Sequence, residues 1–236
     1  MKKSKIDVSV IVPVHNEEEL IKHFLKDVDN ACSNLNLLYE IVVVENGSKD
    51  KTWQYLQEIA KENQKIRPIQ LKILGYGPAL IMGINKSLGE YGVIFNVDFW
   101  DDKFLMLTKA NILGQDLIIG SKCLPGSLDL RSFRRRAITK AFNVFLKIFL
   151  GFKGTDTHGI KLLRLPVILP ILKLCRTQSG IFDSELVIRS QRKGLKILEL
   201  PVTVKDIRPE RFGYNRLLKT PFDVYNLYRS LKEVDS

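Results

Sequence analysis

Four short apolar segments rich in β-branched residues, separated by helical patterns, most constrain how this 236-residue chain can fold. They predict strands over 8–14, 39–44 and 69–74, and a fourth over 91–97 that ends directly before Asp98. Continuous apolar segments of this length are typical of strands buried on both faces of a parallel sheet. The alternation of strand and helix therefore predicts an α/β fold with right-handed crossovers.

Polar residues collect directly after three of these strands, in the segments 15–19, 45–50 and 96–102. Open parallel sheets bind ligands at the carboxyl ends of their strands. One such segment would be typical of an ordinary turn. Three of them, each at the carboxyl end of a strand, predict a binding site. Within them, Asn16 is expected to cap a helix, with Glu19 three residues later, and Asp50 is expected to cap the next helix.

The net charge of +11 predicts a polyanionic partner, which could be a nucleic acid, a phosphorylated ligand or an anionic membrane. No base-stacking aromatic pattern or known nucleic-acid-binding module is visible, so we expect no nucleic-acid partner. The segment 130–153 carries seven basic residues and no acidic one: Arg131, Arg134, Arg135, Arg136, Lys140, Lys147 and Lys153.

An apolar segment, 141–152, overlaps these basic residues. The combination of apolar and basic residues favours a helix that lies in a membrane interface over a helix that is buried entirely in the core. The segment 216–231 has a similar mixture, with Tyr225 and Tyr228 expected at the level of the lipid head groups. No uninterrupted apolar segment is long enough to predict a membrane span.

The start of the chain and its cysteines bear on the compartment. Residues 1–7 are charged, and the apolar segment after them is too short for a signal peptide. Cys32, Cys123 and Cys175 lie far apart, without metal-binding or redox spacing. We therefore expect reduced thiols and a cytoplasmic protein, with peripheral binding at the cytoplasmic face of a membrane or through a membrane-protein partner.

Six motifs follow one another in a recognisable order. They are Val-Ile-Val-Pro-Val-His-Asn-Glu (10–17), Val-Val-Glu-Asn-Gly-Ser-Lys-Asp-Lys-Thr (43–52), Gly-Tyr-Gly-Pro-Ala (75–79), Asn-Val-Asp (96–98), Thr-Asp-Thr-His-Gly (155–159) and Phe-Asp-Ser-Glu-Leu (182–186). In this order and spacing the chain resembles a family 2 glycosyltransferase of the GT-A fold, in its dolichyl-phosphate mannose synthase-like branch. The resemblance covers about residues 6–215.

The resemblance implies a Rossmann-like, mostly parallel central sheet flanked by helices, with a small acceptor-side extension. It implies one domain over 1–236, with a nucleotide-sugar-binding half (1–102), an acceptor-binding half (103–215) and a C-terminal amphipathic helix (216–236). The implied reaction is inverting transfer of a sugar from a nucleotide sugar to a polyprenyl, dolichyl-type phosphate at a membrane surface.

For the donor, the resemblance implies binding by Pro13, His15, Glu17, Glu45, Gly77, Asn96, Val97 and Asp98. Proline at a strand end has no N–H to give the sheet, and glycine lets backbone approach a ligand closely. Glu45 stands where the family usually has Asp in contact with the base. For Glu17 a plain helix start is an equally good explanation.

The family's metal motif Asp-x-Asp here reads Asn96-Val97-Asp98, which leaves Asp98 as the main carboxylate for Mg²⁺ or Mn²⁺, with Asp101 and Asp102 close by in sequence. Two alternatives to a bound metal ion stay open: basic residues neutralise the diphosphate of the donor, or the enzyme has lost its activity. Leu74 stands where an Arg is common in the family, and Lys72 is the candidate substitute.

For the acceptor, the resemblance implies that Lys122, Arg135 and Thr139 bind the phosphate of the polyprenyl phosphate. Arginine suits a phosphate because its planar fork donates paired, charged hydrogen bonds. Asp156 is the candidate catalytic base or orienting residue, with turn capping as the alternative. Two other readings stay open: a family 2 enzyme with a soluble saccharide acceptor, and a non-catalytic nucleotide-sugar-binding module, which Asn96 and Leu74 favour.

Overall fold

The elements of the fold are those of a computed structural model, which describes residues 6–72, 74–205 and 214–233, with side chains from 222 to 232 in the last segment. The first half contains β1 (Val8–Val14), α1 (Ile21–Asn34), β2 (Tyr39–Asn46), α2 (Thr52–Glu62), β3 (Ile66–Leu71), α3 (Tyr76–Lys86) and β4 (Tyr91–Ile94). The second half contains α4 (Asp102–Asn111), β5 (Leu117–Ser121), β6 (Leu128–Asp129), α5 (Phe133–Leu150), β7 (Lys161–Arg164), α6 (Leu165–Leu172), α7 (Phe182–Arg192), β8 (Ile197–Pro201), β9 (Thr203–Val204) and α8 (Tyr214–Glu233).

Seven of the described strands form one sheet in the order β3-β2-β1-β4-β7-β5-β8. Its pairs are parallel except those that β7 makes with β4 and β5, so the predicted mostly parallel α/β sheet is confirmed. Strands β6 and β9 pair in a small separate sheet beside it. Because β7 runs antiparallel, its amino end lies at the same edge as the carboxyl ends of β4 and β5.

Strand β1 is buried along its whole length and divides the core into two layers. Val10 and Val12 pack into the layer that contains Leu25 of α1, whereas Ile11 packs into the opposite layer, with Leu80 of α3. Alternate side chains of a strand point to opposite faces, so a continuous apolar strand fills both layers. Full burial of each such side chain contributes about 1.5–3 kcal/mol.

Several predicted boundaries are corrected by the structure. Strand β3 covers Ile66–Leu71, because it is a half-exposed edge strand whose position is set by pairing with β2. The strand predicted to reach Val97 ends at Ile94, because the chain turns back in a bridge between Asn96 and Phe99. Helix α1 begins at Ile21, and the predicted cap, Asn16, lies outside it with a φ of 55°. The segment 195–204 contains two strands, β8 and β9.

Candidate active site

A cavity of about 360 Å³ opens where the strand order reverses, with β2 and β3 on one side of β1 and β4 on the other. This reversal is the place where open α/β sheets bind ligands. The cavity is lined by Pro13, Val14, His15, Glu17, Asn46, Leu74, Gly75, Tyr76, Asn96, Val97 and Asp98. The structure thus brings together six of the eight predicted donor residues.

Pro13 stands where the missing N–H costs the sheet nothing. Strands β1 and β4 pair only as far as Ile11 and Ile94, and the N–H of Phe95 donates to the Ile11 carbonyl (3.1 Å). Residue 13 faces the same neighbour as residue 11, because successive residues of a strand bond to alternate sides. Beyond that point β4 diverges, so proline ends the pairing and opens the cavity.

The loops after β1 and β2 are joined by hydrogen bonds that place His15 and Glu17. Asn16 donates its N–H to Ser48 Oγ (2.9 Å), and its own Oδ1 accepts the N–H of Lys49 (2.8 Å). Its positive φ is one that asparagine tolerates better than most residues. The N–H of Glu17 donates to Thr52 Oγ1 (2.8 Å).

Asp50 completes this junction. Its carboxylate accepts the N–H of Thr52 (3.0 Å) and the N–H of Glu18 (3.2 Å). The N-cap residue of α2 is Lys51, which has no side-chain cap, so Asp50 binds the first N–H of α2 from one position before the predicted cap. Burial alone would raise the pKa of Asp50, but these hydrogen bonds outweigh it and hold the pKa below its usual value.

Glu45 and Gly77 lie outside the cavity lining, although the sequence placed both in the donor site. The Glu45 carboxylate, 1% exposed, accepts the N–H of Ser48 and a hydrogen bond from Gln70 Nε2 (3.2 Å). Gly77 donates its N–H to the Gln178 carbonyl (3.1 Å), and a Cβ there would lie 3.0 Å from the Thr177 carbonyl oxygen. Both residues therefore shape the protein around the cavity.

The cavity lining carries negative charge. Among the described residues that line it, Glu17 and Asp98 are acidic and none is Lys or Arg. Leu74, 67% exposed, occupies the rim where the family commonly has Arg. A nucleoside diphosphate in this cavity would need a cation to offset its own charge and that of the carboxylates.

Asp98 is the exposed carboxylate of the turn after β4. Asp101, expected to help it, instead caps α4 by accepting the N–H of Phe104 (3.2 Å), and it also accepts the N–H of Thr203 (3.2 Å). Within the described residues there is no group of three or more His, Cys, Asp or Glu that could hold a metal. One or two carboxylates suffice for Mg²⁺ when substrate phosphates supply further oxygens, so Asp98 fits such an ion only together with a diphosphate.

A second group of polar residues lies at the same edge of the sheet, before the antiparallel strand β7. Gly159 permits the backbone before β7 to lie close to β5, because a Cβ at this position would lie 1.9 Å from the Gly120 carbonyl oxygen. Lys122 Nζ lies 2.6 Å from Asp156 Oδ2, with side chains 3% and 1% exposed, and it also donates to the His158 carbonyl (3.1 Å). The ring of Phe99 covers this ammonium at 5.4 Å.

Asp156 is bound too tightly to suit a proton acceptor. Burial would raise its pKa, but Lys122 and the N–H groups of His158 and Lys122 outweigh burial and hold the pKa below its usual value. Of the roles expected from the sequence, this geometry favours orienting Lys122 and capping the turn at His158 over that of a base.

Arg135 and Thr139 lie on the first turns of α5. Thr139 Oγ1 donates to the Arg135 carbonyl (2.9 Å) and accepts from Arg131 Nη2 (3.2 Å). Arg131 in turn makes two hydrogen bonds to Asp129 (2.9 and 2.7 Å). Helix α5 contacts the loop after β5 through a hydrogen bond from Asn143 Nδ2 to Cys123 Sγ (3.7 Å), about two turns beyond Arg135.

Two residues of the site were not singled out from the sequence. Tyr76 lines the donor cavity from the first residue of α3. Lys161 is fully buried, and its Nζ lies 2.8 Å from Asp183 Oδ1. A lysine inside the apolar segment 160–163 was the available signal, because a buried lysine needs a partner.

The central sheet and its flanking helices form a GT-A fold. A chain with the same fold is glucosyl-3-phosphoglycerate synthase from Mycobacterium tuberculosis, solved with Mn²⁺, uridine diphosphate and glucosyl-3-phosphoglycerate. It matches with a TM-score of 0.67 and 19% identity, covering 97% of this chain and 80% of that one. The predicted fold class is confirmed.

The chain belongs to glycosyl transferase family 2, whose model matches residues 9–122. It is 31% identical over 230 residues to the dolichyl-phosphate beta-glucosyltransferase of Saccharomyces cerevisiae, covering 86% of this chain and 68% of that protein. It is 33% identical over 136 residues to the dolichol-phosphate mannosyltransferase of Pyrococcus furiosus, covering 56% of this chain and 38% of that protein. The resemblance drawn from the motifs is thus confirmed.

Within the described ranges no helix is long and apolar enough to cross a membrane.

Proposed function

We propose that this glycosyltransferase transfers a sugar from a nucleotide sugar to a polyprenyl phosphate. The observation that carries the proposal is a basic residue beside an acidic donor cavity: the Lys122 ammonium lies 5.4 Å from the ring of Phe99, the residue after Asp98, and α5, which bears Arg135, contacts Cys123, the residue after Lys122. The names of the yeast and archaeal relatives, which refer to dolichyl or dolichol phosphate, support the same acceptor class.

In this proposal the nucleoside diphosphate lies in the cavity between His15, Glu17 and Asp98. Asp98 would hold Mg²⁺ or Mn²⁺, which supplies positive charge for the departing diphosphate. The acceptor phosphate is already anionic, so it attacks the anomeric carbon in line with little need for a general base. Arg135 and Thr139 orient the phosphate, and Asp156 holds Lys122 in place.

The test is a transfer assay with labelled nucleotide sugars and Mn²⁺, in which a short polyprenyl phosphate is compared with the matching polyprenol and with a soluble oligosaccharide. We expect product only with the phosphate. Transfer to the oligosaccharide alone would favour a soluble acceptor. Donor binding without turnover on any acceptor would favour the binding-module reading, for which Leu74 at the cavity rim is the specific observation.

Arg135→Ala is expected to raise the KM for polyprenyl phosphate by about 10- to 100-fold, because a charge-assisted hydrogen bond contributes about 1.5–3 kcal/mol. The KM for the donor should stay within about twofold. Steady-state kinetics with each substrate varied in turn measures both, and Arg134→Ala, on another face of the same turn, is the matched control. Equal losses for donor and acceptor would instead indicate a general disturbance of the fold.

The outer face of α5 supports binding to an anionic membrane. Phe133, Val144 and Ile148 form an exposed apolar stripe, and exposed basic residues flank it on one side: Arg136, Lys140 and Lys147. The opposite side of the helix is anchored in the core through Leu146 and Leu150. A helix with this division lies in the plane of a membrane interface with its apolar stripe inserted.

Helix α8 also exposes apolar side chains. Leu227 and Leu231 pack in one cluster with Leu146 and Leu150 of α5, while three aromatic side chains of α8 are exposed: Phe222, Tyr225 and Tyr228. The part of the predicted helix beyond Glu233 lies outside the described residues. Tyrosine suits the head-group region because its ring is apolar and its hydroxyl is polar.

Replacing Arg136, Lys140 and Lys147 together with Gln is expected to weaken binding to phosphatidylserine vesicles about 100-fold. Each basic residue near an anionic surface contributes about 1 kcal/mol, and about 1.4 kcal/mol is a factor of ten. Vesicle flotation at several lipid concentrations measures this, with Ile148→Glu as a test of the apolar stripe and Leu113→Glu as the control. Equal flotation of wild type and the triple variant would contradict this docking face.

A further inference from the structure

A second cavity, of about 390 Å³, lies between helix α8 and the loop that leads into α7. The loop contributes Arg176, Gln178 and Ser179 to its lining, and α8 contributes Asn226 and Arg229. Its volume falls within the range of about 300–1,000 Å³ that is usual for ligand sites. None of its described lining residues belongs to the donor cavity or to the residues proposed for the acceptor phosphate.

Buried hydrogen bonds join the two walls of this cavity. Glu185 of α7 is fully buried and holds the loop, because its carboxylate accepts the N–H groups of Arg176 (3.0 Å) and Thr177 (2.7 Å). The same carboxylate accepts the hydroxyl of Ser230 on α8 (2.5 Å). Arg189 lies 2.8 Å from Glu185 and donates to the Ser230 carbonyl (2.7 Å). The cavity is therefore preformed, which lowers the cost of binding a ligand.

The charges of the cavity indicate which ligand it suits. Arg176 and Arg229 contribute two positive charges, and Asp223 contributes one negative charge, which leaves an excess of one positive charge among the described lining residues. Arginine binds phosphate groups through paired, charged hydrogen bonds. A phosphodiester, with its single negative charge, matches this excess, whereas a nucleoside diphosphate would bring more negative charge than the cavity offsets.

Exposed aromatic side chains lie next to the cavity. Tyr225 stands four residues before Arg229 on α8, and Phe222 stands four residues before Asn226. Residues four apart share one face of a helix, so both rings lie beside polar residues of the cavity. Phe222 is 66% exposed and Tyr225 is 56% exposed. A ligand that carries both a phosphodiester and apolar chains can therefore contact both kinds of side chain.

We propose that this cavity binds the head group of an anionic phospholipid, with its phosphodiester at Arg176 and Arg229 and its acyl chains along Phe222 and Tyr225. A lipid bound in this way fixes the orientation of α8 at the membrane, which attraction to a charged surface alone does not. The inference rests on the membrane docking in the proposed function, because it needs α8 to lie at a lipid surface.

The test uses dihexanoyl phosphatidylglycerol below the concentration at which it forms micelles, so that head-group binding is separated from attraction to a charged surface. Calorimetry should show saturable binding of one molecule to wild type. Arg176→Gln and Arg229→Gln should each weaken this binding about 10- to 100-fold, because each removes charge-assisted hydrogen bonds to the phosphate. Lys232→Gln is the matched control, because it removes an exposed cation of the same helix outside the cavity lining, and it should bind within about twofold of wild type.

Two further ligands identify the source of the phosphate. Glycerophosphoglycerol, the same phosphodiester without acyl chains, should bind at least about tenfold more weakly, because it cannot contact Phe222 and Tyr225. A short polyprenyl phosphate should not displace the lipid. Equally tight binding of glycerophosphoglycerol would identify a site for a soluble phosphodiester, and displacement by polyprenyl phosphate would make the cavity part of the acceptor site. Either result would overturn the inference.

Failure of the inference is distinguishable from failure of the proposed function. If wild type floats with anionic vesicles and transfers sugar to polyprenyl phosphate but does not bind the short-chain lipid, the cavity is not a lipid site. The same conclusion follows if Lys232→Gln loses as much affinity as the two arginine variants. If wild type does not float with anionic vesicles, the membrane docking is wrong and the inference is overturned with it. Arg176 and Arg229 are exposed, so their variants should melt like wild type, which a thermal unfolding curve checks.

Discussion

Asp98→Ala is expected to abolish the Mn²⁺-dependent part of nucleotide binding and to reduce transfer by at least about 100-fold. The reason is the composition of the cavity, where Asp98 is the exposed carboxylate of the turn and no described lining residue is Lys or Arg. A bound divalent ion supplies several kcal/mol of charge stabilisation, which corresponds to this factor. Without it the diphosphate would face Glu17 with no offsetting charge.

Calorimetry with UDP or GDP, with Mn²⁺ and with EDTA, separates the metal-dependent from the metal-independent part. Asp102→Ala is the matched control, because Asp102 is an exposed carboxylate in the first turn of α4, outside the cavity lining. We expect it to bind like wild type. If Asp98→Ala retains Mn²⁺-dependent binding, the ion is held elsewhere and the assignment of Asp98 is wrong.

Much of the first half of the fold could be predicted from sequence, because its signals are local. The strands at Val8–Val14 and Tyr39–Asn46 each contain consecutive β-branched apolar residues, which is typical of strands buried on both faces of a parallel sheet. The polar segments after them were expected at one edge of the sheet because parallel strands end there together. This reasoning placed His15 and Asp98 at that edge, and the resemblance to the family added Pro13.

The missed features depend on partners far away in sequence. Glu45 bonds to Gln70, and Gly77 packs against Gln178, so their local motifs gave no sign that both would face protein. Strand β7 is four residues long, and its antiparallel pairing follows from the path of the chain through the whole second half. The prediction that Asn16 caps a helix was wrong for a similar reason. The N–H of Asn16 donates to Ser48 Oγ and its side-chain oxygen accepts the N–H of Lys49, both of which lie in the loop after β2.

Lys122→Met is expected to destabilise the protein by about 3–5 kcal/mol, because it leaves the buried Asp156 carboxylate without its cation. For a chain of this size the melting temperature should fall on the order of 10 °C. Adding Asp156→Asn should restore most of the stability, since an asparagine oxygen still accepts a backbone N–H and no unpaired charge remains. Denaturant unfolding of the single and combined variants measures both effects.

The combined variant separates structure from function. If Lys122 also contacts the acceptor phosphate, the stable combined variant should still show a KM for polyprenyl phosphate raised by about tenfold or more. A wild-type KM would leave Lys122 with a structural role alone.

The pH dependence of stability gives an independent check, because the pKa of Asp156 in the folded protein lies below its usual value, with burial outweighed by Lys122 and by backbone hydrogen bonds. The stabilisation by the pair is therefore complete above about pH 4 and is lost as the pH falls through the folded pKa. Without Lys122, burial raises the pKa of Asp156. The difference in unfolding free energy between wild type and Lys122→Met should therefore shrink as the pH falls through the raised pKa of Asp156 in the variant, and a difference that stays constant at acidic pH would show that Asp156 is not ionised in the folded protein.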